Sequence, residues 1–442
     1  MNGETSSSEG ASIARAVEPA ETRAQRASAA AVGNRSEFKL FPDDAQFDFE
    51  ARRALGEVDY GGSAVGEVLV AVSEIRPGDY DSWYEAWNAL AERVAGEADR
   101  QSARGHHVSA RDGWLRASNY YRTSEFFLRV RADDPRAARA YYRSVACYVA
   151  ACKLFQPSIE PVEIPYAGTT LPGYFHRVDD TARPRPTVIT HTGFDGSAEE
   201  MHFMGARAAV ERGYNALAFD GPGHFGPLHR EGLTFRPDWE NVVTPVVDFA
   251  LRRPEVDPRR IVLMGHSLGG VLAPRAAAFE KRLAACIAND GIYDYAAATI
   301  LARVPPAERT TFEQQLKAEH APEVDELLAG TMETNPTVRW ALSQGMYAMG
   351  AATPRQYGAA SLAYNLRDGV AEAISCPTLV CEAEDDLFFT GQPQVLYDHL
   401  TCKKAILRFT RAEGAGLHCE YDGLRLALGR IFDWLDETFR SA

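Results

Sequence analysis

The sequence predicts an α/β protein whose mainly parallel sheet is covered by helices on both faces. A helical region precedes the sheet and a long helical insertion interrupts it. Three observations carry this. Beyond about residue 160, short β-rich runs alternate with helix-length segments, the pattern of strands joined by crossover helices. Before residue 157 the apolar residues repeat at helical spacing. From about 292 to 375 there is no strand pattern at all, and connections that long usually carry function, often as lids. The composition of the 442-residue chain, 45% hydrophobic and 24% charged, excludes a mostly disordered or collagen-like protein. At roughly 150 residues per domain, two or three domains are expected.

Residues 1–37 contain no Phe, Trp or Tyr and are rich in Ser, Ala, Glu and Arg. Such a segment buries too little apolar surface to fold alone, so it reads as a tail, with a transient helix near Thr22 to Ala31. Residues 38–157 form the helical region. Trp83, Trp87, Leu90 and Val94 make one apolar stripe, and Tyr141, Val145, Tyr148, Cys152 and Phe155 make another. Near Pro161 the period changes to that of strands and the third segment, 158–442, begins. VEIPYAG and TLPGYFHRV read as a hairpin. TVITHTG (187–193), YNALAFDG (214–221), IVLMGHS (261–267), AACIANDG (284–291), PTLVCEAE (377–384) and AILRFT (405–410) follow as strands. Leu424, Leu428, Ile431 and Leu435 stripe a final helix.

Charge narrows the function. A formal charge of −14 repels phosphate backbones, so nucleic acid is not the expected partner, and no basic cluster favours an anionic membrane. No apolar run reaches the roughly 18 residues that cross a bilayer, and no charged start with an apolar run suggests a secretory signal. The seven cysteines fit no zinc or disulfide spacing. A cytoplasmic enzyme acting on a small molecule is the expectation.

Chemistry concentrates at Gly265-His266-Ser267-Leu268-Gly269, between an apolar strand and a helix-like run. A serine hydroxyl is a weak nucleophile unless a sharp turn presents it and a base deprotonates it. The glycines two before and two after let such a turn close. Ser267 is therefore the candidate nucleophile. The turn also aims the Leu268 N–H at a developing oxyanion. A second donor is expected from the loop after the third strand, at the Phe194 N–H, with Gly193 permitting close approach.

The base needs a near-neutral pKa. His418 is the only histidine beyond the last strand and lies before the final helix, in RAEGAGLHCEYDG. Its carboxylate partner is expected on the loop after PTLVCEAE, at Asp386, with Asp385 as the alternative. The chain order Ser267, Asp386, His418 is that of α/β-hydrolases. Gly221-Pro222-Gly223-His224-Phe225-Gly226 fits G-x-G-x-x-G, but two prolines follow without a helical pattern, so it reads as a loop beside the active site rather than a dinucleotide site. With no HExxH or CxxC pattern, no metal or other cofactor is expected.

Several longer segments, GFDGSAEEM (193–201), ALAFDGPG (216–223), GHSLGG, KRLAACIANDG (281–291), CPTLVCEAEDDLFF and GAGLHCE, together resemble one α/β-hydrolase group. It contains 2,6-dihydroxypseudooxynicotine hydrolase, the FrsA-like esterases and the fungal heptaketide pigment hydrolases. SARGHHVSARDGWLRASNYYRTSEFF (102–127) also resembles that group's helical N-terminal domain. The resemblance spans about residues 40 to 440. It implies a helical domain capping the active site, a homodimer, and cofactor-free hydrolysis of an ester or of a carbon–carbon bond next to a ketone in a polyketide-like or aromatic molecule. The nucleophile, acid and base it implies are again Ser267, Asp386 and His418. The loop after Gly-Pro-Gly departs from the group, with His224-Phe225-Gly226 in place of Gln-Gly-Glu. Trp114, Tyr120, Tyr121, Phe126 and Phe127 could line an apolar pocket, which makes Tyr120, Tyr121 and His224 candidate substrate contacts. Two other readings use the same chain: acyl transfer or cyclisation, if water is kept from the acyl-enzyme, and a non-catalytic binding protein.

Overall fold

The computed structural model describes residues 38–131 and 133–440; the expected tail and its transient helix lie outside them. Among these residues five α-helices come first: α1 (Ala45–Gly56), α2 (Val65–Ser73), α3 (Tyr80–Ala103), α4 (His107–Glu125) and α5 (Pro135–Cys152). Side chains cap the starts of α1, α3 and α5. Asp44, Asp79 and Asp134 each accept backbone N–H groups at the N-termini of α1, α3 and α5, and Pro135 opens α5 without wasting a donor. The predicted stripe of α3 is buried, with Trp83 and Trp87 fully enclosed.

The sheet has eight strands: β1 (Glu160–Tyr166), β2 (Thr169–His176), β3 (Arg185–His191), β4 (Asn215–Phe219), β5 (Val256–His266), β6 (Ala285–Asn289), β7 (Thr378–Ala383) and β8 (Lys404–Phe409). Their order is β1-β2-β4-β3-β5-β6-β7-β8. The β1–β2 hairpin joins β4 antiparallel, and every pairing from β4 through β8 is parallel. All eight strand-forming runs are where the sequence pattern put them; β5 begins earlier, at Val256, where Arg185 of β3 extends the ladder.

Alternation along the strands makes two cores. Ile261 and Leu263 of β5 face one layer, with α8 (Glu240–Leu251) and α9 (Gly269–Phe279). Val262 and Met264 face the other, with α6 (Arg207–Glu211) and α16 (Leu424–Arg440). The first core runs without a break into the N-terminal helices, through Trp83, Trp87 and Phe127.

Residues between β6 and β7 form helices α10 (Tyr295–Ala298), α11 (Arg309–Lys317), α12 (Pro322–Thr334), α13 (Pro336–Met349) and α14 (Pro354–Ser361). This insertion packs on the N-terminal helices. The Trp340 ring stacks on Phe126 with centroids 4.3 Å apart, and its indole N–H donates to the Phe126 carbonyl at 2.9 Å. The short α7 (Phe225–Glu231) opens inside the Gly221–Gly226 motif, where the sequence pattern read a loop; Pro227 falls in its first turn, where a proline is tolerated. With α15 (Gln392–His399) it completes the α-helices among the described residues.

Candidate active site

Ser267 lies at the end of β5 with φ of 59°, a conformation that costs a non-glycine residue on the order of 1–3 kcal/mol. The neighbouring glycines make the turn possible. A Cβ on Gly265 would stand 2.2 Å from the Gly269 carbonyl oxygen, and one on Gly270 would stand 2.2 Å from that of Asp290. The strain is held by flanking bonds: the Ser267 N–H donates to the Asn289 carbonyl, and the Ile292 N–H to that of Gly270. His266 turns the other way, with Nε2 3.3 Å from Thr190 Oγ1 and Nδ1 3.1 Å from Asn289 Nδ2.

The structure brings His418 to Ser267, with Nε2 2.9 Å from Oγ. On the other edge of the ring, Nδ1 lies 3.1 Å from Asp386 Oδ1. Asp385 points elsewhere, pairing with Arg411. Asp290 is the residue that sequence reasoning missed. Its Oδ2 is 2.7 Å from the same Nδ1, nearer than Asp386, and its side chain is fully buried. The available signal was an aspartate just past the C-terminal end of β6, the edge where α/β sheets collect functional groups. Asn289-Asp290-Gly291 marks a turn, and aspartate tolerates the left-handed φ of 55°, but nothing in the sequence says that this turn aims the side chain at His418.

Burial works against an imidazolium at His418, but Cys419, Asp386 and Asp290 pull the other way and prevail, so its pKa is held well above the usual histidine range. Burial keeps the Cys419 thiol protonated, which leaves the carboxylates to carry the effect near neutrality. Asp290 is raised, chiefly by burial and further by the charge of Asp386. Asp290, His418 and Cys419 also bring donor atoms within 4.8 Å of one another, a set able to hold a metal ion. Here those donors bond to one another: Asp290 Oδ2 accepts the Cys419 backbone N–H as well as His418 Nδ1–H, and Cys419 Sγ lies 3.6 Å from Nε2.

The 191–194 loop lies against the elbow. A Cβ on Gly193 would stand 2.4 Å from the Leu268 nitrogen. Phe194 follows, and its carbonyl accepts the Gln344 amide of α13 at 2.9 Å. The next residues are clamped by arginines from the N-terminal helices. Arg53 binds both Glu200 oxygens, at 2.7 and 2.8 Å, and Asp195 at 2.9 Å. Arg129 donates to the Asp195 carbonyl at 2.8 Å while pairing with Glu125. Arg122 lies 3.6 Å from Asp195 and Glu200. Burial penalises the Glu200 charge, yet Arg122 and Arg53 overcome it and hold its pKa at about 2. The Arg53 guanidinium also sits 4.9 Å from the ring of Tyr421, three residues beyond His418.

Of the expected substrate contacts, Tyr120 and Tyr121 lie in the packed interior of the helical region, whereas His224 lies against the 191–194 loop, within hydrogen-bond reach of the Thr192 and Gly193 backbone. Tyr120 is fully buried in the helical region, its hydroxyl donating to Glu67 and accepting from the Ala64 N–H. The Tyr121 hydroxyl accepts from Arg143. Large aromatics at helical spacing went to the core, where they bury most area. His224 is buried beside Asp220, accepts the Gly221 N–H, and packs on Trp239 and Phe235. The rings that do surround His418 are Phe388, Phe389 and, from α1, Phe49, with centroids 4.9, 5.4 and 6.0 Å away. Phe194 adjoins Tyr295, Trp340 and Tyr357.

A serine on a strained strand–helix elbow, a histidine against it and a parallel sheet beneath define the α/β-hydrolase class. Residues 187–423 match the Alpha/beta hydrolase family, and the chain belongs to it. It is an enzyme of that family. Among curated proteins it is 34% identical to "Hydrolase LUC6" of Fusarium sp over 418 residues, covering 91% of this chain and 98% of that one. It is likewise 34% identical over 420 residues to "20-hydroxy-prefusarin hydrolase FUS2" of Gibberella moniliformis, with the same coverage. Among solved structures it is similar to 2,6-dihydroxy-pseudo-oxynicotine hydrolase, with a TM-score of 0.65 and 25% identity over 86% of this chain and 94% of that one. The resemblance read from the motifs is thereby shown. No described helix is long and apolar enough to cross a membrane.

Proposed function

We propose that this enzyme is a serine hydrolase that cleaves an ester, or a carbon–carbon bond next to a ketone, in an aromatic or polyketide-like small molecule. The observation that supports it most is His418 bridging Ser267 Oγ and carboxylates across one imidazole. His418 takes the Ser267 proton as Oγ attacks the substrate carbonyl. The Leu268 and Phe194 N–H groups hold the tetrahedral oxyanion. His418, oriented by Asp386, then gives its proton to the departing alkoxide or carbanion. Water, deprotonated by His418, releases the acid from the acyl-enzyme. No step calls on a cofactor.

The substrate class draws support from two sides. The wall of Phe49, Phe388 and Phe389 around His418 suits an aromatic, apolar molecule. The names of the similar hydrolases, one acting on 20-hydroxy-prefusarin and one on 2,6-dihydroxy-pseudo-oxynicotine, point to phenolic or polyketide-derived small molecules. In this reading the N-terminal helices, residues 38–157, cap the catalytic region 158–442, and the protein works in the cytoplasm as a homodimer.

The test uses aryl esters and aryl 1,3-diketones in H2-18O, with products followed by mass spectrometry. Heavy oxygen in the released acid, with wild type active and Ser267→Ala inactive, is the expected result. Turnover that depends on Ser267 yet transfers the acyl group to an added alcohol, without heavy oxygen, would convert the reading to acyl transfer. Binding without any turnover of either class would sink it.

A further inference from the structure

We propose that Asp290 is a second positioning carboxylate for His418, sharing the Nδ1–H with Asp386. This rests on the serine-hydrolase reading above and deepens it. The imidazole has one proton on Nδ1 and two carboxylate oxygens facing it, at 2.7 Å from Asp290 and 3.1 Å from Asp386. Neither carboxylate is there by default. Asp290 Oδ2 also accepts the Cys419 N–H, and Asp386 Oδ1 also accepts the Phe388 N–H at 2.7 Å. Each acid is thus pinned by a backbone donor and turned to the same edge of the ring.

The two acids come from different parts of the fold. Asp386 sits on the loop after β7, whereas Asp290 directly follows β6, the strand paired with the nucleophile strand β5. The backbone of Asp290 packs against the elbow itself, since a side chain on Gly270 would collide with its carbonyl. Asp290 therefore ties the ring of His418 to the same rigid unit that presents Ser267. A left-handed, fully buried aspartate with one oxygen unpartnered is a costly arrangement, and such costs collect where function requires them.

The groups that face His418 are Ser267 from the elbow, Asp290 from β6, Asp386, Phe388 and Phe389 from the loop after β7, Phe49 from α1, and Cys419 in its own turn. Buried Glu420 lies near Asp290, burial and that neighbour pushing its carboxyl well above the usual range, and burial holds the His266 pKa down to about 3. Two carboxylates on one N–H have two consequences. Losing either leaves a partner that still fixes the tautomer, so single losses are partial and the double loss exceeds their product. Losing either also weakens the hold on the imidazolium, so the base becomes available at lower pH.

The experiment compares wild type, Asp290→Asn, Asp386→Asn and the double variant. It measures kcat/KM against pH on an aryl ester, the rate at which a fluorophosphonate labels Ser267, and Tm. The expectation is a loss of about 30-fold for each single variant and about 10⁴-fold for the double, the latter being the scale of losing a triad aspartate altogether. The acid limb of the Asp290→Asn profile moves to lower pH, which a merely structural residue would not cause. Asp290→Ser, which keeps an acceptor for the Cys419 N–H but no charge, gives the same shift should the amide variant fold poorly. An Asp290→Asn enzyme with wild-type rate and acid limb, beside an Asp386→Asn enzyme showing the whole 10⁴-fold loss, overturns the inference while labelling of wild-type Ser267 leaves the hydrolase reading standing. A wild type that never labels removes both.

Discussion

Gly193→Ala is the substitution whose effect the structure specifies most closely. The added methyl carbon would lie 2.4 Å from the Leu268 nitrogen, 2.7 Å from the His266 carbonyl oxygen and 3.0 Å from the Gly269 nitrogen. All three are backbone atoms of the elbow, so no rotamer change relieves the clash. An ordinary contact needs about 3.5 Å, and the 191–194 loop must therefore retreat by about 1 Å. That retreat carries the Phe194 N–H away from the oxyanion it is proposed to hold. Losing one such donor costs about 3–4 kcal/mol of transition-state stabilisation, or 10²- to 10³-fold in kcat. KM should change little, since the donor acts on charge that develops only in the transition state. Steady-state kinetics on a p-nitrophenyl ester, with Tm recorded in parallel, measures both quantities. A well-folded Gly193→Ala enzyme with kcat within about threefold of wild type would refute the placement of the second donor.

Other predictions follow from the same geometry. Gln344→Leu removes the bond from α13 to the Phe194 carbonyl; at roughly 1 kcal/mol for one hydrogen bond, kcat should fall about fivefold with Tm little changed, and an unaltered kcat would separate the insertion from the oxyanion loop. Arg53→Ala takes both guanidinium bonds from buried Glu200 and one from half-buried Asp195, leaving only Arg122 at 3.6 Å as their ion-pair partner, and should cost about 3 kcal/mol in urea unfolding. That penalty should shrink as pH falls, because the under-compensated carboxylates can then take up protons; a pH-independent loss would contradict it. Wild-type kcat/KM should rise with pH through a His418 pKa held above the usual range, since only the neutral ring accepts the Ser267 proton. The stability that this histidine adds runs the other way: it is full below the unfolded pKa and is lost as pH rises through the folded one.

The strands were legible because their apolar runs are bounded by Gly, Pro and Asp and alternate with helical spacing. Ser267 and His418 were legible because a nucleophile elbow needs small neighbours and because one histidine follows the last strand. Phe49 and the arginine clamp were not. Arg53, Arg122 and Arg129 sit on helical stretches where charges ordinarily face water, and their burial follows only from the approach of residues 195–200, far away in the chain. Tyr120 and Tyr121 mislead for the opposite reason: the spacing that places an aromatic on a helix face does not say whether that face meets a pocket or a core. Asp290 escaped because Asn289-Asp290-Gly291 marks a turn without showing that the side chain meets a histidine more than a hundred residues later.

The most direct measurement is a fluorophosphonate reaction followed by peptide mass mapping. The account predicts one adduct, on Ser267, formed rapidly in wild type and on the order of 10⁴-fold more slowly in His418→Ala. An unlabelled Ser267 in folded wild type, or labelling that ignores the loss of His418, would contradict it.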